Sequence, residues 1–248
     1  MTTPRARRAR SALLLAGLLW AGSALAAEPL RLGDFAPPAD ATAPPPGWEA
    51  LTFPRVARHT RYTVVLDGER WVLRAESEAA ASALYRPLDL DPKVHRVLSW
   101  RWRVDGVLSR ADPSRKDGDD YPARVYVAFQ YESATASLWE RSRFAFYRLL
   151  YGRYPPGVAL NYVWESRLPA GTVLDNAYTA RAKIIVVRSG TEQAGHWVVE
   201  RRDIYEDFRR IVGREPPRIA GIALMTDTDD TGEHAVAYYD AITLGPGP

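Results

Sequence analysis

The chain contains no cysteine. That absence excludes disulfides, thiolate zinc sites, thiol nucleophiles and a lipid-modified cysteine. Histidine is scarce as well: His59, His95, His196 and His234 are the four present. They are never spaced as HExxH, which would set two imidazoles on one metal. A GxSxG elbow, a Walker loop and GxGxxG are missing, so the common signatures of serine-hydrolase and nucleotide chemistry are absent.

Long apolar runs are also rare. The main one, Ala12 to Leu25, is shorter than the roughly 20 residues that span a bilayer. Arg5, Arg7, Arg8 and Arg10 precede it, and Ala24-Leu25-Ala26 fits the small-x-small rule for signal peptidase. The expectation is a secretory signal over residues 1–26, cleaved after Ala26, and a periplasmic or secreted protein without a transmembrane segment after cleavage. Those four arginines account for the whole basic excess: without them the formal charge falls from +3 to −1. A nucleic-acid partner is therefore not expected.

Residues 27–47 include "APPADATAPPPG". Proline at this density blocks helix and sheet, so a disordered, extended linker is expected there. A single domain is expected over 48–248, long enough to bury a core without disulfide staples.

Strand signals dominate that domain. "RYTVVLDGERWVLRAES" places two β-rich runs around Asp67-Gly68, a hairpin dipeptide. In "RVLSWRWRVDG", Trp100, Trp102 and Val104 alternate with Ser99, Arg101 and Arg103. "ARVYVAFQY" alternates likewise, and "LNYVWES", "ARAKIIVVRSG", "HWVVERRD", "RIAGIALMT" and "HAVAYYDAITL" add further strands. Two helices are expected: Ser137–Tyr151, and a segment N-capped by Asp203 and stopped by Gly213. Strands at short spacing without βαβ alternation predict an all-β fold, an antiparallel jelly-roll sandwich with two short helical insertions.

Three groups of residues could carry function. The first is acidic. Asp227 and Asp229 in "MTDTDDTGEH" begin like an EF-hand loop with Gly232 at position 6, but Tyr238 stands where a bidentate glutamate belongs. An EF-hand is excluded. A non-EF calcium loop and a plain hairpin turn both remain. Asp119 and Asp120 of "KDGDDYPAR" would join Asp227 and Asp229 if the loops converge, giving a structural calcium ion as the candidate cofactor.

The second group is arginine on strands. Arg101 and Arg103 alternate with tryptophans, and Arg124 alternates with valines beside Tyr126 and Gln130. Arginine and tyrosine on a sheet face suit sugar hydroxyls and carboxylates, although an ordinary wet face has the same pattern. The third is Trp164 with Glu165, as groove residues or, for Glu165 with Asp119 or Asp120, as a carboxylate pair. Trp100 and Trp102 are read as core.

Taken in order, "LSWRWRVDG", "GDDYPARVYVAF", "NYVWES" and "GIALMTDTDDTG…AYYDAITL" resemble an uncharacterised bacterial secreted family, domain of unknown function 3047. The resemblance covers Trp48 to Leu244 and implies an exported envelope protein of β-sandwich type. The closing strand-loop-strand is similar in style to galactose-binding-like jelly rolls. The function expected is a non-catalytic binding module for a saccharide or another polar or anionic ligand. A glycan hydrolase or lyase and an envelope scaffold with a protein partner are the alternatives.

Overall fold

The computed structural model describes residues 28–37, 40, 43–132 and 157–247. Among them lie thirteen strands: β1 (Leu30–Arg31), β2 (Glu49–Leu51), β3 (Arg61–Asp67), β4 (Arg70–Glu78), β5 (Ala83–Leu90), β6 (Val97–Val104), β7 (Ala123–Phe129), β8 (Val158–Glu165), β9 (Val173–Asn176), β10 (Thr179–Ser189), β11 (Val198–Asp203), β12 (Ile219–Met225) and β13 (His234–Gly245). One α-helix, α1 (Ile204–Val212), accompanies them. The segments 1–26 and Ser137–Tyr151 lie outside the described residues, as does the docking role that rests on the second.

The first sheet runs β11-β6-β13-β4-β3, with β1 beside the later half of β13. The second runs β2-β5-β12-β7-β8-β10-β9. Successive strands β4 to β7 change sheet at each step, as do β10 to β13. This is the expected jelly-roll sandwich. One pair departs from the antiparallel rule: β10 runs parallel to β8, because the chain returns through β9 on the outer edge before entering β10.

Alternation builds the core. Trp100, Trp102 and Val104 of β6 point inward, where they meet Leu160, Tyr162 and Trp164 of β8. The Trp100 and Tyr162 ring centres are 5.5 Å apart, and those of Trp102 and Trp164 are 5.8 Å apart. Such tilted contacts suit the ring quadrupoles and each adds about 1 kcal/mol to simple burial. Trp100 and Trp102 are core, as read from the sequence.

The helix follows its local signals. The Asp203 carboxylate accepts the Glu206 N–H at 3.0 Å, and Gly213, with φ +79°, donates its N–H to Arg209 O at 3.0 Å. Phe208 then packs on Phe129 at 4.6 Å, and Asp207 accepts the Tyr162 hydroxyl at 2.9 Å. The helix thereby covers part of the aromatic core.

Two details differ from the sequence reading. The sequence carries no clear strand signal at β5, because Pro87 interrupts it. Pro87 pairs with Gly221 next to a register shift, where a missing N–H is tolerated. The start of the expected linker is structured. Leu30 and Arg31 pair with Leu244 and Thr243, and Leu32 and Phe35 are buried. The cause is a bulge in β13 at Ala241, whose φ is +51°. Strand β4 pairs with β13 only as far as Tyr239. The rest of that edge needs another partner for its backbone groups. Phe35 lies 6.0 Å from Trp48, whose indole N–H donates to Leu32 O at 3.2 Å.

Phe35→Ala should therefore cost about 3 kcal/mol in urea-induced unfolding. A change below about 0.5 kcal/mol would return residues 30–35 to the role of a tether.

Candidate functional site

The inward tryptophans of β6 send Arg101 and Arg103 to the outer face of the first sheet. Register places Arg103 opposite Tyr238 of β13, and Tyr238 opposite Arg74 of β4. Trp197 flanks the row, just ahead of β11. The Arg101 guanidinium lies 4.3 Å from the Trp197 ring centre, and Arg103 lies 5.3 Å from it and 4.0 Å from that of Tyr238. Carboxylates hold these groups in place. Asp67 accepts the Trp197 indole N–H at 2.7 Å and Arg103 at 3.3 Å. Asp240 accepts Arg101 at 2.6 Å and Arg70 at 3.0 Å. Glu76 accepts Arg74 at 2.9 Å and also pairs with Arg61.

Two of these acids, Glu76 and Asp67, are held below the usual carboxylate range. Hydrogen bonds from Arg74 and Arg61 bring Glu76 down to about 2. Asp67 is lowered, first by the Trp197 indole. The side chains of Arg101 and Arg103 keep 23 % and 19 % of their surface exposed. Five arginines thus share three carboxylates on a partly open face, with guanidinium donors left for a ligand.

The second sheet treats its arginine differently. Arg124 is 2 % exposed. Its Nε donates to Asp227 Oδ1 at 2.7 Å, and Nη2 donates to Asp227 Oδ2 and to the Asp119 carbonyl. Nη1 donates to the Tyr126 hydroxyl at 3.1 Å. The Tyr121 ring centre lies 4.2 Å from the guanidinium. Burial would lower this arginine, but Asp227 and the neighbouring oxygens outweigh it, and its pKa stands well above the usual value. Arg124 and Tyr126, expected to face a ligand, are thus the fastening of two loops.

The other expected ligand residues also separate. Gln130 donates to Asp89 at 2.8 Å on the surface. Trp164 lies in the core, its indole N–H on Gly190 O at 3.1 Å. A one-residue difference in facing explains that: Trp164 shares the inward parity of Tyr162. Glu165 is buried and accepts the backbone N–H groups of Arg167 and Leu168, closing the turn after β8.

The acidic loops do converge. Oxygens of Asp120, Asp229 and Asp230 lie within 4.8 Å of one another. Asp120 accepts the Thr231 N–H at 2.6 Å, and Tyr178 donates to Asp230 at 2.9 Å. Of the four acids expected to hold a metal, Asp120 and Asp229 meet. Asp227 is bound to Arg124, and Asp119 accepts the Asn176 amide. Burial raises Asp229 and Asp119. Asp230 is pushed from 3.8 to about 6 by burial, against the Tyr178 hydrogen bond and with Asp229 and Asp120 adding to the rise.

The sequence reading missed Trp197, Tyr238, Arg74 and Asp230 as site residues. Cross-strand register joins the first three, and register is not written in any one strand. Asp230 had a visible signal, adjacency to Asp229, but the EF-hand spacing skips it.

Two outcomes follow. Arg124→Ala should destabilise the protein by about 3–5 kcal/mol, because it leaves Asp227 buried without its counter-ion. An unchanged Tm would mean that Arg124 is free to serve a ligand. The second concerns pH. The folded pKa of Asp230, about 6, exceeds its ordinary 3.8, so its stabilising contribution is full below about pH 4 and lost as pH rises through about 6. Solvent screening reduces the effect to about 1 kcal/mol. In chelator, Tm should be about 2–4 °C higher at pH 5 than at pH 7.5, and Asp230→Asn should flatten that slope. The lowered groups Glu76 and Asp67 act below this window. A slope unchanged by Asp230→Asn would refute the assignment.

Comparison with solved structures finds matches at low identity. A family 11 carbohydrate-binding module from Clostridium thermocellum, in complex with a β-1,3-1,4-mixed-linked tetrasaccharide, shares 10 % identity, with a TM-score of 0.41 over 88 % of this chain and 96 % of that one. A family 29 carbohydrate-binding module shares 8 %, with a TM-score of 0.36 over 89 % and 91 %. The xyloglucanase domain of NopAA from Sinorhizobium fredii shares 9 %, with a TM-score of 0.37 over 81 % and 94 %. Overlap at this level assigns no ligand to the chain. No curated protein matches it. The sequence profile described as Protein of unknown function (DUF3047) matches residues 46–243, and the chain belongs to that family.

Proposed function

We propose that the protein is a non-catalytic binding module that holds a saccharide, preferably an acidic one, on the outer face of its first sheet. The observation that carries this reading is the row Trp197, Arg103, Tyr238 and Arg74, laid side by side across neighbouring strands. Aromatic rings offer apolar faces to sugar C–H groups, and guanidinium forks bind carboxylates and paired hydroxyls. The surplus of arginine over carboxylate on this face favours a negatively charged polymer. Arg101 and Arg103 belong to this reading. Arg124, Trp164 and Glu165 do not.

The non-catalytic part is supported by Glu165, which is 1 % exposed and bonded to two backbone amides. As one half of a carboxylate pair it would have to reach a glycosidic oxygen. Export by the amino-terminal signal completes the proposal and would bring the domain to envelope or extracellular glycans.

Calorimetric titration with uronic-acid oligosaccharides and their neutral counterparts tests the reading. The acidic series should bind more tightly and lose affinity with added salt. Trp197→Ala and Arg103→Ala should each weaken binding about tenfold or more, with circular dichroism unchanged. Affinity untouched by both substitutions, or no binding in either series, would overturn the proposal.

A further inference from the structure

Among the described residues, the strand orders of the two sheets end in β11, β3, β2 and β9. An open edge offers unpaired backbone groups to another chain, and short strands or charged side chains normally blunt it. β2 has three residues and β9 has four. β11 carries Glu200, Arg201, Arg202 and Asp203. β3 has neither protection. It runs for seven residues, and its centre, Tyr62 to Leu66, is uncharged and mostly β-branched or aromatic. Leu66 is 57 % exposed, and Trp71, opposite it on β4, is 43 % exposed.

We propose that β3 pairs with β3 of a second copy of this chain, antiparallel and centred on Val64. The hairpin decides which backbone groups are free. Gly68, at φ +62°, and Glu69 form a two-residue turn, so Asp67 and Arg70 close it as a hydrogen-bonded pair. Alternation from that pair turns the N–H and C=O groups of Arg61, Thr63, Val65 and Asp67 toward β4. Those of Tyr62, Val64 and Leu66 point away from the sheet. About a twofold axis at Val64, these free groups face each other. Val64 meets the partner's Val64, and Tyr62 meets the partner's Leu66. Each facing pair exchanges both of its backbone hydrogen bonds.

Charge selects the same register. The axis sets Arg61 against the partner's Asp67, at non-hydrogen-bonded positions where side chains come closest. Both keep open surface beyond their present partners, Glu76, Arg103 and Trp197. A slide of one residue mismatches the hydrogen-bonding groups, and a slide of two sets Asp67 against His59 or Thr63. On the inward side, the exposed Leu66 is covered by the partner's Tyr62.

The axis stands perpendicular to the sheet, so both outer faces turn to one side. Thr63 lies opposite Arg74, and the two arginine-aromatic rows therefore share one surface across the joint. This consequence rests on the proposed glycan reading: a long acidic polymer meets both rows at once, and its avidity exceeds either contact alone.

Light scattering on the purified chain should give twice the chain mass at about 50 μM and fall toward one chain on dilution. Leu66→Lys and Arg61→Asp replace exposed side chains. Circular dichroism should stay unchanged while the dimer dissociation constant rises at least about tenfold. Arg61→Asp acts by facing the partner's Asp67 with a like charge. The chain has no cysteine, so Val64→Cys reports the register directly. Its Cα atoms would be about 5.5 Å apart, and mild oxidation should give a covalent dimer. Val199→Cys, on the charged edge, should not. The acidic polymer should bind wild type at least about tenfold more tightly than Leu66→Lys, and a short oligosaccharide should bind both equally. Equal polymer affinities would strike the shared surface. Monomer mass for wild type at about 200 μM would overturn the interface, as would a dimer untouched by both substitutions. Mass is read without ligand, so a failed interface is distinct from a failed glycan face.

Discussion

The packing of Trp100 and Trp102 of one sheet against Tyr162 and Trp164 of the other is the contact on which the rest depends. Side chains on a strand alternate, so a residue held inside commits its neighbours to the outside. Four large rings fixed between the sheets leave Arg101 and Arg103 no place but the outer face. The same rule turns Asn161, Val163 and Glu165 to the far side of the second sheet. A slip of one residue in β6 would drive arginine into the core, at a cost far beyond a domain's net stability. The aromatic layer therefore sets both the fold and the chemistry that each surface presents.

Arginine serves two ends in this molecule, and burial decides which. Arg124 is enclosed, bonded at every nitrogen and matched to Asp227. Removing one partner of such a pair is expensive, so its work is to hold loops. Arg101 and Arg103 stand partly in solvent over aromatic rings, each with a single acidic partner. Groups in that setting contribute little to stability and retain donors for another molecule. The acidic loops invert the picture. There burial raises Asp229 and Asp230 instead of a partner lowering them.

Much of this was legible in the sequence. The alternation in "SWRWRV" assigned the inside and outside of β6 correctly, because period two is a local property. Asp203 and Gly213 marked the helix ends through backbone hydrogen bonds made within a few residues. The two acidic loops are visible in the sequence, and the fold brings Asp120 and Asp229 together. What could not be read was long-range. Nothing near Arg103 says that Tyr238 will be its neighbour, or that Asp227 will claim Arg124 from 103 positions away. Trp164 reads as a groove residue because a strand buried on both faces shows no contrast between its two parities. The pairing of Leu30–Arg31 was hidden by the prolines that follow, although the need for it lies in β13.

The two faces give the protein a division of labour: a rigid interior, an arginine-aromatic surface on one sheet, and acid-lined loops beside the other. Under the proposed function, ligand meets the first sheet. Amide chemical-shift mapping on isotope-labelled protein with an acidic oligosaccharide tests it most directly. Perturbations should gather on Arg101, Arg103, Trp197 and Tyr238. Perturbations centred on Tyr126 and Asn161 of the second sheet, with the first sheet silent, would contradict the account.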